Sequence, residues 1–384
     1  MKNILYITEE SPFPAYGGGR IRRYGILKAL SASGYRVHAI FGNKFEIDLH
    51  LFKIENITFY EFNYQPGKLN VIFRYFKIFK KNKKLMRLIR SVTSNYPIDI
   101  AFLDCYFIGQ YISFFKKRNL PVIFGTENAQ SHLTLMRPAG NPLKKIEKYT
   151  NYLLQALHER LFFNKADAVI VTSDNDLQFH KKFVNENKIH IIPNFIDFSK
   201  YTPREEKDNY IIMTGSFKAY QNHHGLAWFL DKVWDNDLSQ LTKLIIAGYH
   251  SIELLENIKR KKGDLVNVYA AGQVPDITPL ISQARIAIVP LLHGSGSRIK
   301  ILEAMALKTP VISTTKGAEG IEHENSIIIA DQSGDFKKEI LNVIQGNDAG
   351  SYKTLTEKAY QIASGKYSFE TNRIKIDKIL NRFH

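Results

Sequence analysis

The residues best suited to chemistry are concentrated in one short segment of the second half of the chain, residues 290–306. A predicted strand ends at Pro290, a loop of small residues follows, and a predicted helix begins near Ser297. Glycines let the backbone approach a phosphate closely, and a helix N-terminus offers unpaired N–H groups and a partial positive charge. Arg298 and Lys300 add two cations in what we expect to be the first helical turn. The segment therefore predicts a site for an anionic group.

A carboxylate follows these cations at helical spacing. Glu303 is three residues beyond Lys300, so the two side chains are expected to share one side of the helix. A carboxylate at this depth can accept hydrogen bonds from two neighbouring sugar hydroxyls. The alternative is a plain strand–turn–helix with a surface salt bridge. The combination of loop, cations and acid favours a binding site.

The elements that must position this segment belong to a pattern that occurs twice. Short runs rich in Val, Ile and Phe alternate with longer amphipathic stretches, which predicts doubly wound α/β domains with parallel sheets. The pattern restarts after a segment that contains Pro193, Pro203 and clustered charge, which is typical of a linker. We predict two domains, residues 1–194 and 195–368, that face a central cleft. The predicted strands are 3–8, 37–41, 99–103, 122–126, 168–172, 189–192, 210–214, 244–248, 266–270, 286–290, 310–313 and 326–329.

Length and composition agree with this organisation. A single core rarely grows beyond about 250–300 residues, and the chain has 384. The single cysteine, Cys105, excludes a structural disulfide within the chain and fits a reducing compartment. No apolar run reaches the roughly 18 residues that span a bilayer, and the first residues lack the features of a signal peptide. We therefore expect a cytoplasmic protein.

Residues 294–321, GSGSRIKILEAMALKTPVISTTKGAEGI, resemble the donor-binding signature of the retaining glycosyltransferase family 4, also called group 1 glycosyltransferases. Residues 192–197 are similar to the interdomain segment of that family, and residues 272–276 to its G-x-V-x-D loop. Gly215 and Ser216 resemble the start of its second domain, and residues 17–19 resemble its N-terminal glycine-rich turn. Together these segments cover most of the chain.

The resemblance implies a GT-B fold, with a final helix over residues 369–384 that completes the first domain. It also implies a nucleotide-diphosphate sugar as co-substrate, transfer with retention at the anomeric carbon, and contact between Glu303 and the donor ribose. Arg298 and Lys300 are the candidates for binding the diphosphate, and the backbone near Val274 for meeting the base. The full set of predicted donor-binding residues is Gly18, Gly19, Gly215, Ser216, Val274, Gly294, Ser295, Gly296, Ser297, Arg298, Lys300, Glu303 and Glu319.

Two positions depart from the family pattern. Ser295 stands where many members have a glutamate that contacts the transferred sugar, and Ser216 stands where many have a basic residue. Neutralisation of the diphosphate is therefore expected to depend more heavily on Arg298 and Lys300. We predict no metal site and no cofactor. Asp174-Asn175-Asp176 has the Asp-x-Asp spacing typical of metal-dependent sugar transferases of another fold, but we interpret it as a helix cap.

The first half supplies the candidate acceptor site. Glu127 follows a predicted strand and is a candidate catalytic residue beside Arg298 and Lys300, since it can orient an acceptor hydroxyl or accept its proton. A helix-capping role for Glu127 is an equally good interpretation. The predicted acceptor-binding residues are Arg20, Asn128 and His132, for a saccharide or lipid-linked saccharide.

A basic segment predicts a further partner. Residues 1–190 hold 29 Lys or Arg against 15 Asp or Glu, and the stretch from Lys68 to Arg90 has nine cations, no acid and many apolar residues. This composition indicates binding to an anionic membrane surface, or a sheet-covering helix with a solvated basic face. We expect no nucleic-acid binding, because no recognised module appears. A nucleotide-sugar epimerase and a non-catalytic nucleotide-binding partner protein are the alternative functions.

Overall fold

The computed structural model describes residues 1–13, 18–43, 54–63, 79–136, 140–294, 298–346 and 349–383. The chain divides into two units. Unit 1 comprises Met1–Pro193 and Asn372–His384, and unit 2 comprises Asn194–Thr371.

Unit 1 is built on a seven-stranded parallel sheet with the order β3-β2-β1-β4-β5-β6-β7. Its first strand is buried along its whole length, as expected for a parallel sheet that is covered on both faces. The order reverses between β1 and β4, and ligands in such sheets bind beyond the carboxyl ends of the strands at this point. The strands are β1 (Asn3–Thr8), β2 (Arg36–Asn43), β3 (Ile57–Asn63), β4 (Ile100–Asp104), β5 (Val122–Gly125), β6 (Ala168–Val171) and β7 (Ile189–Ile191).

Three helices of unit 1 begin directly after a capping side chain. Asn82, Asn141 and Ser173 each accept a hydrogen bond from a backbone N–H group of the first turn that follows. We predict one amphipathic helix over residues 69–94, but Asn82 is an N-cap residue with extended backbone angles, so the helix begins at Lys83. Residues 64–78 lie outside the described residues. The helices are α1 (Gly18–Ala32), α2 (Lys83–Asn95), α3 (Ile112–Lys116), α4 (Gln130–Met136), α5 (Pro142–Phe162) and α6 (Asp174–His180).

Unit 2 repeats the architecture with a six-stranded parallel sheet of order β10-β9-β8-β11-β12-β13. The strands are β8 (Asp208–Thr214), β9 (Lys243–Ala247), β10 (Val268–Gly272), β11 (Ala284–Val289), β12 (Val311–Ser313) and β13 (Ile328–Ile329). The helices are α7 (Tyr220–Lys232), α8 (Asn236–Leu241), α9 (Ser251–Lys262), α10 (Thr278–Gln283), α11 (Ile299–Ala306), α12 (Thr315–Ala318), α13 (Ser333–Gln345) and α14 (Ala349–Tyr367). The last helix, α15 (Phe369–Leu380), begins in unit 2 and continues into the returning segment of unit 1. The prediction of two doubly wound α/β domains is confirmed.

Within the described part of the chain, no helix combines the length and the apolar character needed to cross a membrane. No group of three or more His, Cys, Asp or Glu side chains there is placed to hold a metal ion.

Candidate functional site

The segment predicted to bind an anion follows β11 and leads into α11. The helix is anchored by its buried residues Ile301, Leu302 and Met305. Arg298 is the N-cap residue with extended backbone angles, φ −95° and ψ 99°, so the prediction that it lies in the first helical turn is wrong. Lys300 does lie in that turn. Ser295, Gly296 and Ser297 lie outside the described residues, and their predicted roles stay predictions.

The Arg298 guanidinium packs against the backbone of the preceding loop. A Cβ atom on Gly294 would lie 3.0 Å from Arg298 Nη2, and Gly294 has a positive φ of 111°. Burial lowers the pKa of Arg298, which is 8% exposed, and the charge of Glu319 opposes this shift. Glu319 also forms a 2.6 Å ion pair with Lys316 Nζ. The structure thus brings Gly294, Arg298 and Glu319 together at the start of α11.

Lys300 is the second cation of the site, and it points toward the end of β8. Its Nζ donates to Asn222 Oδ1 at 2.8 Å, and it would lie 2.8 Å from a Cβ atom on Gly215. Burial, followed by the charge of Arg298, lowers the pKa of Lys300 to about 7, while Glu303 opposes the shift. An anion bound between the two cations would restore the charged form of the lysine, because opposite charge stabilises an ammonium group.

Glu303 is the partly buried acid one turn further along α11. Tyr201 donates a hydrogen bond to Glu303 Oε1 at 3.4 Å. Burial raises the pKa of Glu303 to about 7, Asp276 adds to this effect, and Tyr201 and Lys300 oppose it. Val274 and Asp276 belong to the loop between β10 and α10. This loop therefore approaches Glu303 closely enough for Asp276 to influence its titration.

Two side chains of unit 2 join the site without having been predicted. Asn222 on α7 bridges Lys300 and the carbonyl of Ser216, to which its Nδ2 donates at 2.9 Å. Tyr201 comes from the segment before β8, and burial followed by the charge of Glu303 raises its pKa. The arrangement combines a buried arginine, a half-buried lysine, a helix N-terminus and a protonatable acid. It can hold a diphosphate at one end and a pair of hydroxyls at the other.

The candidates of unit 1 meet at the start of α1. Arg23 Nη2 forms a 2.6 Å ion pair with Glu127 Oε1, and Arg23 Nη1 lies 3.2 Å from Glu10 Oε2. A Cβ atom on Gly19 would lie 3.0 Å from Glu127 Oε1. Burial works against the charge on Arg23, but Glu127 and other nearby groups raise its pKa overall. Glu127 is thus an ion-pair partner of a buried arginine.

The remaining predicted residues of unit 1 are close in sequence to Gly19 or Glu127, but each has its own contacts. Gly18 begins α1, and Arg20 is half-buried two residues later. The carbonyl of Asn128 accepts a hydrogen bond from Thr126 at 2.8 Å. His132 is exposed on α4, and its ring stacks on Phe179 with 5.4 Å between ring centroids. Acceptor binding by Arg20, Asn128 and His132 stays a prediction.

Replacing Glu127 with glutamine separates a catalytic role from a structural one. Glutamine keeps a hydrogen bond to Arg23 but removes the charge that balances a guanidinium only 6% exposed. We expect the free energy of unfolding to fall by about 1–2 kcal/mol, since the buried guanidinium loses its shorter ion pair and keeps the longer one with Glu10. We expect kcat to change less than about tenfold. Urea denaturation and steady-state kinetics measure both quantities, and Glu10→Gln is the matched control. A thousandfold loss of kcat at wild-type stability would instead identify Glu127 as the proton acceptor.

Solved structures with the same fold define the class of protein. Sucrose-phosphate synthase from Thermosynechococcus elongatus has a TM-score of 0.75 at 16% identity, covering 100% of this chain and 99% of that one. HepE from Anabaena, in complex with UDP-glucose, has a TM-score of 0.71 at 16% identity, covering 100% of both chains. The two Rossmann-like units therefore form a GT-B fold, the fold of a large class of glycosyltransferases.

The family follows from the sequence itself. The model of glycosyl transferases group 1 matches residues 208–346, and the model of glycosyltransferase family 4 matches residues 16–200. The chain belongs to the group 1 glycosyltransferases of family 4, and it is a glycosyltransferase. A 44.6 kDa protein in the cps region of Klebsiella pneumoniae is 23% identical over 360 residues, which are 89% of this chain and 91% of that protein.

Proposed function

We propose that this glycosyltransferase moves a sugar from a nucleotide-diphosphate sugar to a hydroxyl of a saccharide or lipid-linked saccharide, with retention at the anomeric carbon. The observation that carries the proposal is the placement of Arg298, Lys300 and Glu303 around the start of α11. The UDP-glucose complex of HepE supports such a donor. The relative from a cps region supports a role in surface polysaccharide or glycolipid assembly.

In this proposal the two cations act on the leaving group. As the bond between the anomeric carbon and the diphosphate oxygen breaks, negative charge develops on the diphosphate. Arg298, Lys300 and the N–H groups of α11 stabilise that charge, which lowers the barrier. Because these residues supply the positive charge, we expect turnover without an added metal ion. The acceptor hydroxyl attacks the face that the diphosphate leaves, and its proton passes to the departing phosphate.

A donor screen followed by product analysis tests the proposal. Thermal shift with UDP-, GDP- and ADP-sugars identifies the donor, since a ligand that binds the folded state raises its stability. Incubation with donor and acceptor should then yield a glycoside with the donor's anomeric configuration, measured from the anomeric proton coupling. An isomerised donor formed without acceptor would show an epimerase. No turnover across the panel would favour the non-catalytic alternative.

The opposite pKa shifts of Lys300 and Glu303 predict a donor affinity that is highest near neutral pH. The pKa of Lys300 is lowered to about 7, so above that pH a bound diphosphate must draw a proton onto the lysine. The pKa of Glu303 is raised to about 7, so below that pH ribose hydroxyls that donate to the carboxylate must expel a proton. Binding of the nucleotide sugar should take up a proton near pH ~8 and release one near pH ~6.

Calorimetry in two buffers of different ionisation enthalpy measures the sign of this proton exchange. The nucleotide sugar itself does not interfere, because its diphosphate diester does not titrate in this range. Lys300→Arg is the control, since arginine stays protonated and should abolish only the uptake. Binding without proton exchange at either pH would contradict the assignment of both residues.

We also propose that α2 and the basic residues that precede it contact an anionic membrane surface. Lys81, Lys83, Arg87 and Arg90 line a cavity of about 540 Å³ together with Lys117 and Arg118, and no acidic residue is among its described lining. Burial, followed by the charges of Lys117 and Arg90, lowers the pKa of Lys81. Replacing Lys80, Lys81, Lys83 and Lys84 with glutamine should weaken binding to anionic vesicles, by roughly 1 kcal/mol for each charge at low salt. Vesicle binding that neither salt nor these changes affect would exclude this surface.

A further inference from the structure

Helix α5 has its polar and apolar faces reversed relative to an ordinary surface helix. The face that packs against unit 1 carries Asn151, Gln155, His158 and Glu159, and all four are buried. The opposite face carries six large apolar side chains that are exposed. These are Leu143 (78% exposed), Ile146 (64%), Tyr149 (55%), Leu153 (64%), Leu157 (47%) and Leu161 (44%).

Hydrogen bonds on the buried face fix this orientation. Glu159 accepts from the Ser131 hydroxyl at 2.5 Å and from the Ser131 N–H group at 3.1 Å. Gln155 Oε1 accepts from the Thr134 hydroxyl at 2.6 Å, and the Gln155 carbonyl accepts from Tyr106 at 2.9 Å. Rolling α5 to bury its leucines would break these bonds and leave buried polar groups unpaired, which is costly. The apolar face is therefore held outward by the fold.

The six exposed side chains form one continuous line, called here the α5 stripe. Their spacing of three or four residues places them on one side of the helix. The line from Leu143 to Leu161 is about 27 Å long at 1.5 Å per residue. Single exposed apolar residues are common on soluble proteins, but a contiguous patch of this kind marks an interaction surface.

The charge around the α5 stripe identifies its partner. Lys144, Lys145 and Arg160 are exposed on the same helix, and the first half of the chain has 14 more basic than acidic residues. Two copies pairing through this surface would bring like charges together. An anionic leaflet would attract the same charges while its acyl region receives the apolar side chains. We propose that the α5 stripe inserts into the interface of an anionic lipid bilayer and holds unit 1 there.

This inference goes beyond the transferase reaction and uses none of the residues assigned to it. The first test removes the apolar stripe without touching the buried face. The triple variant Ile146→Gln, Leu153→Gln, Leu157→Gln should lower the partition coefficient for phosphatidylglycerol–phosphatidylcholine vesicles at least about tenfold, because each buried apolar side chain contributes to interfacial binding. Thermal unfolding should be unchanged, since the altered side chains are exposed.

The matched control makes the same kind of replacement on unit 2. The variant Leu241→Gln, Val266→Gln, Ile329→Gln also replaces three exposed apolar residues, and it should keep wild-type vesicle binding. Turnover with a water-soluble acceptor should be the same in both triple variants and in the wild type. Failure of the transferase proposal would therefore show as absent turnover in all three proteins, independently of their vesicle binding.

A tryptophan reporter tests insertion directly. Tyr149→Trp places an indole in the middle of the α5 stripe, while the two natural tryptophans, Trp228 and Trp234, lie in unit 2. Its emission should shift to the blue on vesicle addition and be quenched by lipids brominated in the acyl chain. Emission that is already blue without lipid would show a protein partner or another segment over the stripe, and would overturn the proposal. So would a triple variant that loses self-association but keeps vesicle binding.

Discussion

Replacing Arg298 with alanine is expected to lower kcat/KM about a hundred- to a thousandfold, the loss seen when one preorganised charge-stabilising donor is removed from an active site. Arg298 is 8% exposed and its guanidinium lies beside Gly294, so it is held in place before any donor arrives. Since Ser216 stands where the family pattern leads us to expect a basic residue, we expect Arg298 and Lys300 to supply most of the positive charge of the site. The measurement is steady-state kinetics together with donor titration.

The control for this prediction is an arginine of unit 2 that does not belong to the candidate site. Arg260 on α9 is exposed and forms only a 3.8 Å pair with Glu256, so Arg260→Ala should keep wild-type kinetics. Glu303→Ala should also weaken donor binding, since it removes the acceptor for the ribose hydroxyls. If Arg298→Ala and Glu303→Ala both keep wild-type affinity and turnover, the donor site lies elsewhere.

Gly215→Ala is expected to lower both the stability of unit 2 and its donor affinity. The glycine has a φ of 146°, a backbone conformation that side chains rarely adopt. A Cβ atom there would lie 2.8 Å from both Lys300 Nζ and Asn222 Nδ2. We expect the free energy of unfolding to fall by about 2–4 kcal/mol, from backbone strain and overpacking together. Donor affinity should fall at least about tenfold, because the lysine must move away from the diphosphate.

Gly263→Ala separates the effect of backbone strain from the effect of overpacking. Gly263 also has a positive φ, 86°, but a Cβ atom there would meet nothing within 4 Å. Its replacement should cost about 1–2 kcal/mol of strain and leave donor affinity unchanged. Calorimetry measures the donor affinity of both variants. If the two substitutions lower it equally, the position of the Lys300 side chain does not depend on the space beside Gly215.

The sequence is informative about the fold wherever strands are buried on both faces. The bounds of β1 match the prediction because all six of its residues are apolar or buried. Strand β3 was not predicted, since it is an edge strand in which Thr58 and Glu61 interrupt the apolar residues. No helix was predicted at the positions of α3, α4, α8, α9, α12 and α14.

The partners within the candidate site could not be predicted, because they are distant in sequence. Asn222 is 78 residues from Lys300, and Tyr201 is 102 residues from Glu303. The motif around Arg298 predicts the ligand chemistry, but only the folded sheet brings Asn222 and Tyr201 to it. Glu127 shows the converse. Its position after a strand indicates catalysis, whereas its ion pair with Arg23 depends on α1, far earlier in the chain.

The return of the chain to unit 1 at Asn372 has a consequence for biosynthesis. Unit 1 draws on segments made before and after the whole of unit 2, so a ribosome has translated unit 2 completely before the remaining part of unit 1 exists. Domains usually mature in the order in which they are translated. Here unit 2 can reach its native state first, because unit 1 cannot complete its fold until Asn372–His384 has been translated.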